Sequence, residues 1–417
     1  MTYSPAHRRL TAALLLALVC CAAFPAAHAA EKPKVRAITA FVRLDRATYE
    51  TQVREAVEML RAAKKDLEQA GYEVQSIRIA TQPFPQYIRG LSSRDALAFF
   101  RAYDALAQKE GFDAAIGPAM LRDNDDPAAA ELLGDVLLET KALNASLTVA
   151  AEDGVHWNAV RAAARLIRRL GEKSPRSQAN FNFAATAMVP SNTPFFPGAY
   201  HRTLGREFAI ALQSANVVAE ALKAGHGDAE KARRELRESL GAHAKHIEAV
   251  ARQFAARSRW KYTGMDLSPA PLKDVSIGGA LEDFTGSRIG SSGTLTAAAA
   301  ITAALRDIPV ERAGYSGLML PVLEDEVIAR RWSEGALSID ALLAYSAVCG
   351  TGLDTIPLPG DVSEQQLERI IGDMATLAHR LRKPLSARLM PVAGKKAGDR
   401  TEFDDPFLVN AVIQPLP

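Results

Sequence analysis

The chain is short of cysteine, of net charge and of long apolar runs, and each shortage excludes something. Three of its 417 residues are cysteine. Two of them, Cys20 and Cys21, fall in an N-terminal stretch that reads as a cleavable signal. Cys349 would then stand alone, which rules out a disulfide framework and a cysteine-built metal cage. Lysine and arginine number 50 against 48 acids, a formal net charge of +2. The first 29 residues hold two of those arginines and no acid, so the remainder is neutral. A nucleic-acid binder would carry a basic surplus, and none is present. Beyond residue 29 no segment reaches the roughly 20 apolar residues of a membrane-spanning helix. The balance of 24% charged and 48% hydrophobic residues is that of a globular chain rather than a disordered or collagen-like one. The length suits two to three average domains or one large α/β barrel.

Residues 1–29 have the layout of a secretory signal. Arg8 and Arg9 form the positive end, and Leu10 to Phe24 is apolar but short. Ala27-His-Ala29 fits the small-x-small cleavage rule, which leaves Ala30 as the new N-terminus. A twin-arginine route is poorly matched by the residues after Arg9. Lipidation lacks the small residue needed before Cys20 or Cys21. The expectation is export to the periplasm or beyond, with residues 30–417 as a single domain.

The mature part alternates. Val35 to Val42 is dense in β-branched and apolar residues and predicts a strand. A helix follows with Val53, Val57, Leu60, Lys64 and Leu67 on one face, ended by Gly71. Val74 to Ile79 predicts a second strand, parallel to the first across a right-handed crossover. Ser92 and Asp95 signal the start of a helix running to Gly111. Strands at 112–116, 143–149 and 181–188 alternate with helices at 127–142 and 157–170. Helices are expected from about Arg206 to Lys223 and from the N-cap Asp228 to about Arg259. On the second, His243 and His246 lie three apart, but no third ligand accompanies them, so a core-edge and a surface histidine are expected. After Met265, helices at 293–306, 338–348 and 363–382 are separated by loops rich in Gly, Pro, Ser and acids. Rigid elements presenting functional loops look like this.

Five segments hold residue types that carry chemistry. Thr193-Pro-Phe-Phe-Pro-Gly-Ala-Tyr-His201 could wall a pocket, with His201 titrating near neutrality. Asp266 and Ser268 sit at an expected strand end, before prolines that fix a rigid turn. Gly290-Ser-Ser-Gly-Thr294 opens a helix whose free N–H groups attract an anion, with Ser291, Ser292 and Thr294 adding hydroxyls around Gly293. It lacks the lysine and spacing of a phosphate-binding P-loop. Glu324, Asp325 and Glu326 could supply a cation site or a base, or equally an acidic first turn of a helix. Cys349 is most simply a small buried hydrophobe. Asp354 and Asp361, set in Gly/Pro-rich turns, are better placed to touch a ligand.

In order along the chain, several stretches resemble an uncharacterised prokaryotic family, domain of unknown function 711, also called uncharacterised protein family 0210. They are Pro194 to His201, Asp266-Leu-Ser-Pro-Ala-Pro271, Gly290 to Thr294, Gly317 to Glu326, Gly352 to Asp361, and Gly398 to Phe403. The resemblance implies a fold similar to pyruvate formate-lyase-like glycyl radical enzymes and ribonucleotide reductase large subunits: a ten-stranded β/α barrel with a loop threaded inside. It assigns no catalytic roles. Two departures stand out: Ser292 replaces a histidine usual in relatives, and Ser214-Ala-Asn216 replaces a Ser-Gly-Pro-Gly stretch.

Radical chemistry is not expected, because glycyl radical enzymes need a C-terminal Arg-Val-x-Gly-Tyr-type loop and residues 407–417 contain no glycine. The expectation is a non-radical acid/base enzyme acting on a small polar or anionic metabolite in the barrel. Asp266, Glu324 or Asp354 would be the carboxylate and His201 the second titrating group. Ser268, Gly290 to Thr294 and Asp361 would bind the ligand. A divalent cation is compatible but not required. The alternative is a periplasmic binding or scaffold protein using the same pocket without turnover. Substrate and oligomeric state, a homo-oligomer included, stay open.

Overall fold

A computed structural model describes residues 32–416. The segment read as a signal lies outside them. From residue 32 onward the chain holds together as one unit.

Strand β1 (Lys34–Val42) leads into helix α1 (Tyr49–Gln69) and strand β2 (Ile77–Thr81), and β1 pairs with β2 in parallel. The alternation continues through α2 (Ser93–Glu110), β3 (Asp113–Pro118), α3 (Ala128–Glu139), β4 (Leu143–Ala151), α4 (Trp157–Lys173) and β6 (Phe183–Ala187), with the two-residue β5 (Gly154–Val155) beside β4. Ser92 caps α2 by accepting from Asp95 N, and Gly111 ends it in the left-handed conformation at φ 72°. β1, β2, β3, β4 and β6 are thus a parallel block.

The second half supplies β7 (Glu207–Gln213), α5 (Ala215–Gly225), α6 (Ala229–Arg257), β8 (Lys261–Asp266), α7 (Ile277–Thr285), α8 (Thr294–Asp307), α9 (Glu326–Ser333), α10 (Ile339–Ser346), β9 (Gly352–Pro359), α11 (Glu364–Leu381) and β10 (Leu385–Val392). The sheet has ten strands, and its path is β8-β7-β1-β2-β3-β4-β6-β10-β9 with β5 off it. β7 joins β1 and β10 joins β6 antiparallel, while β7–β8 and β9–β10 are parallel. Between β8 and β9 runs an irregular stretch. Met265 N donates to Glu311 O at 2.8 Å, Ala313 N to Met265 O at 2.9 Å, and Val322 N to Asp354 O at 2.9 Å.

Two expectations fail instructively. Residues 207–213 were expected to open a helix and form β7 instead. Their sequence, Glu-Phe-Ala-Ile-Ala-Leu-Gln, alternates large and small apolar residues, so both faces look buried and the period-two signal is weak. β9 was expected as a loop, and no element was assigned to the residues of β10. Pro357, Pro359 and Pro391 lack the N–H of a ladder, and prolines are tolerated in a strand with an irregular neighbour.

The alternation has a physical cause. Phe208, Ile210 and Leu212 join the large core shared with the helices, as do Ile77, Ile79, Ala114 and Ile116. The opposite face is lined by Ala37, Ala80, Ala115, Ala209 and Ala211, which pack on Phe195, Phe196 and Ala199. Those three residues belong to a finger, 189–201, that lies across this face. Thr39 Oγ1 donates to Pro194 O at 3.0 Å and His201 N to Thr81 O at 3.3 Å. Small side chains on the strands leave room for the finger, since packing at interior density admits no larger neighbour.

Asp325 ties the helical side together. It caps α9 and reaches the start of α7, accepting from Ser276 Oγ, Ile277 N, Gly278 N, Val327 N and Ile328 N at 2.6–3.1 Å. Glu326 is exposed in the first turn of α9. Asp325→Ala removes five bonds and the start of two helices. It should cost about 2–4 kcal/mol, read from urea unfolding. A loss below about 0.5 kcal/mol would show that water replaces the carboxylate.

Candidate functional site

The finger tip, Phe195 to Pro197, forms part of the wall of a cavity of about 320 Å³. Period-two geometry decides which side chains enter it. Arg78 on β2, Asp113 on β3, Ala184 on β6 and Arg388 on β10 all point to the finger face and line it. Two irregularities add further charges. The β1–β7 register slips between Val35 and Ala37, so Arg36 is an extra residue and turns inward. The β9–β10 register slips between Ala387 and Leu389, setting Asp354 and Thr355 against Arg388. Bulges re-aim side chains in this way. Thr355 adopts a left-handed φ of 49°, a costly conformation for a β-branched residue. It is held there as its Oγ1 accepts from Leu323 N at 3.0 Å, which also positions the next residue, Glu324.

Arg388 is the hub of the cavity. Its Nε donates to Asp354 Oδ1 at 2.7 Å and its Nη2 to Glu324 Oε1. Its guanidinium lies 4.7 Å over the Phe181 ring. The three side chains are only 10–12% exposed. Burial works against the Arg388 charge, but Asp354 and Glu324 outweigh it and hold the group above its ordinary value. Burial pushes Glu324 up, and Arg388 only partly reverses this. Glu324 therefore keeps its proton to a higher pH than an exposed glutamate.

Among the described residues Arg36 and Arg78 make no hydrogen bond to that cluster, although the Glu324 charge favours and the Arg388 charge opposes the charged form of each. Arg78 lies 4.8 Å over Phe196, and Arg36 5.1 Å over Phe407. Burial and the like charge of Arg36 lower Arg78 to about 10. It therefore stays charged at neutral pH.

The structure divides the residues expected to form one site. Glu324 and Asp354 line the cavity, together with Phe195 to Pro197 of the aromatic loop. The other candidates do not. His201 is fully buried at the base of the finger, its Nδ1 3.1 Å from Thr203 Oγ1 and its Nε2 without a partner. Burial lowers its pKa. Asp266 is fully buried. It accepts from Ser268 N, Ser268 Oγ and Ser316 N on Oδ1 and from Tyr315 N on Oδ2, at 2.6–3.0 Å. Ser268 Oγ in turn accepts from Gly317 N at 3.2 Å. These two residues clamp the loop that carries Tyr315 into the cavity wall. The Gly290 to Thr294 turn lies outside, with Ser291, Ser292 and Gly293 exposed and Thr294 Oγ1 accepting from Gly290 N at 3.1 Å. A Cβ at Gly290 would sit 2.1 Å from Ala336 O, so close packing accounts for that glycine. Asp361 is exposed beyond the far end of β9. Cys349 is buried and is not among the residues that line the cavity. His243 and His246 both face Tyr72 Oη, at 3.1 and 3.3 Å.

Sequence reasoning overlooked Arg36, Arg78 and Arg388. A signal was available, because each is a charge inside an otherwise apolar strand, and arginine is almost never buried without a partner. Among the described residues no group of three or more His, Cys, Asp or Glu could hold a metal ion. Nor is any helix among them long and apolar enough to cross a membrane.

The family described as "Uncharacterised ACR (DUF711)" matches residues 28–404. A UPF0210 protein of Pyrobaculum arsenaticum is 34% identical over 357 residues, covering 81% of this chain and 78% of that protein. A second, from Pyrobaculum aerophilum, is 35% identical with the same coverage. A third, the UPF0210 protein of Acetivibrio thermocellus, is 28% identical over 85% of this chain and 82% of its own length. By the span of the family match and this level of identity, the chain belongs to the DUF711 (UPF0210) family.

Proposed function

We propose that the chain is a non-radical enzyme that carries out acid/base chemistry on a small polar or anionic metabolite in the finger-walled cavity. The observation that carries this reading is the buried Glu324–Arg388–Asp354 cluster at the cavity wall. A carboxyl group raised by burial beside a carboxylate fixed by an arginine offers a proton donor and a base in one hollow. The test is turnover of a panel of small hydroxy, oxo and phospho acids. For any substrate found, Glu324→Gln should lower kcat by two orders of magnitude or more while the protein stays folded. Unchanged kcat in that variant removes Glu324 from the chemistry.

A second reading, binding without turnover, is favoured by one fact: both carboxylates already bond to Arg388. Under it, Glu324→Gln changes affinity several-fold and no panel member is converted.

The same proposal closes the sheet. Residues 311–313 beside β8, and the stretch after them bonded to β9, would complete a ten-stranded β/α barrel resembling the pyruvate formate-lyase type. The finger would be its threaded loop. The support is the Met265–Glu311, Ala313–Met265 and Val322–Asp354 bonds, and closure would give the Met265 and Ala313 amides core-like hydrogen-exchange protection. Export through residues 1–29 rests on their charge and apolar pattern. N-terminal sequencing of secreted material beginning at Ala30 is its check.

A further inference from the structure

We propose that Arg36 and Arg78 form a fork that docks the oxyanion of a small carboxylate or phosphate ligand, with the rest of that ligand held toward Glu324 and Asp354. This rests on the cavity being a substrate site and names the chemistry of what enters it.

Among the described residues neither arginine has a close partner in the protein. Arg78 Nε is buried with no hydrogen-bond partner. The one carboxylate within ion-pair reach of Arg78 among the described residues, Asp113 Oδ2, is 3.8 Å away and half-exposed. Arg36 makes a single long bond, Nη1 to Gln75 Oε1 at 3.4 Å. The contrast with Arg388, which holds two carboxylates, is direct. The Phe407 and Phe196 rings lie against the guanidiniums of Arg36 and Arg78 and restrict their movement. A guanidinium recognises a planar or tetrahedral oxyanion bidentately through its N–H edge. The cavity wall also holds Asp113, Glu324, Asp354 and Asp405, but among the described residues none of them accepts a hydrogen bond from either guanidinium, so the two like charges repel each other and an anion that accepts from both relieves them. The volume of about 320 Å³ is at the small end of ligand pockets and excludes a polymer.

The experiment titrates the full chain with sodium phosphate and with sodium malonate by calorimetry at pH 7, the ionic strength being held with sodium chloride. One-to-one binding of either supports the fork: phosphate alone points to a phosphate ester, malonate alone to a carboxylic acid. Arg78→Gln and Arg36→Gln should each weaken that binding at least about 30-fold, and Arg54→Gln on the surface of α1 should leave it unchanged. Without ligand, Arg78→Gln should melt no lower than the wild type, because it removes a buried charge with no good partner. No binding of either anion, unaltered affinity in both variants, or a lower melting point for ligand-free Arg78→Gln overturns the fork. Turnover of an uncharged compound that is lost in Glu324→Gln would sink the fork and leave the acid/base reading standing. Anion binding with no turnover of any compound would do the reverse.

Discussion

Arg388→Met should cost about 3–5 kcal/mol of stability at neutral pH, because it leaves Glu324 and Asp354 side by side without their cation. The size follows from burial: with all three side chains near 10% exposure, water cannot take over the role of the guanidinium. The pH dependence has a definite sign. Glu324 is already raised by burial, and Arg388 is the main group pulling it back. Removing Arg388 raises it further. A carboxyl group with a raised folded-state pKa stabilises most below its unfolded pKa and loses that contribution as pH rises through the folded value. The deficit of Arg388→Met should therefore be largest at neutral pH and shrink on acidification toward pH 5. Urea unfolding at several pH values measures it. The triple variant Arg388→Met, Glu324→Gln, Asp354→Asn should recover much of the loss, since it removes the charges together. A deficit that is flat with pH, or a triple variant no better than the single, would show that Arg388 acts through packing on Phe181 instead.

Asp266→Ala should be comparably severe, about 3–5 kcal/mol, for a different reason. Four donors converge on this carboxylate at a position with no solvent exposure. Each orphaned buried donor costs about 1–3 kcal/mol, less whatever relaxation recovers. Asn is a poor substitute because its NH2 would face one of the N–H groups that now donate to Oδ2 or Oδ1. Ser268→Ala removes one of the four donors and should cost about 1 kcal/mol. Thermal and urea unfolding give both numbers. If Asp266→Ala retained near-wild-type stability, the loop from Gly314 to Gly317 would be held by something other than this clamp. The clamp also bears on function, because Tyr315 projects from that loop into the cavity wall. Asp266→Ala should accordingly weaken ligand binding through a misplaced wall, without Asp266 touching ligand.

The first half of the fold was legible because its signals are local. The helix face at Val53, Val57, Leu60 and Leu67, the Ser92 cap and the Gly111 terminator each act within a few residues. The strands of the parallel block are short apolar runs between such helices. β7 was lost because Ala209 and Ala211 are strong helix formers on their own. Only the finger packed against them makes small residues the right ones for a strand. β9 and β10 were lost because proline counts against a ladder in any reading that cannot see which partner is missing.

The candidate site shows the same limit more sharply. Asp266, Ser268 and Thr294 have the residue types of chemistry, yet each satisfies a neighbouring backbone N–H group. Turn capping and catalysis draw on the same side chains, so sequence cannot separate them. The arginines were passed over because a lone charge in a strand has no meaning until its facing side chains are known.

By itself the sequence determined the α/β alternation and the balanced charge, since these depend on composition and on spacings of a few residues, while the family follows from the resemblance of its ordered stretches to known relatives. Tertiary structure alone decided which polar residues meet. Two slipped registers, at Arg36 and at Asp354–Thr355, turn charges into one hollow. A register is set by contacts between strands that lie far apart in the chain, so no local pattern encodes it.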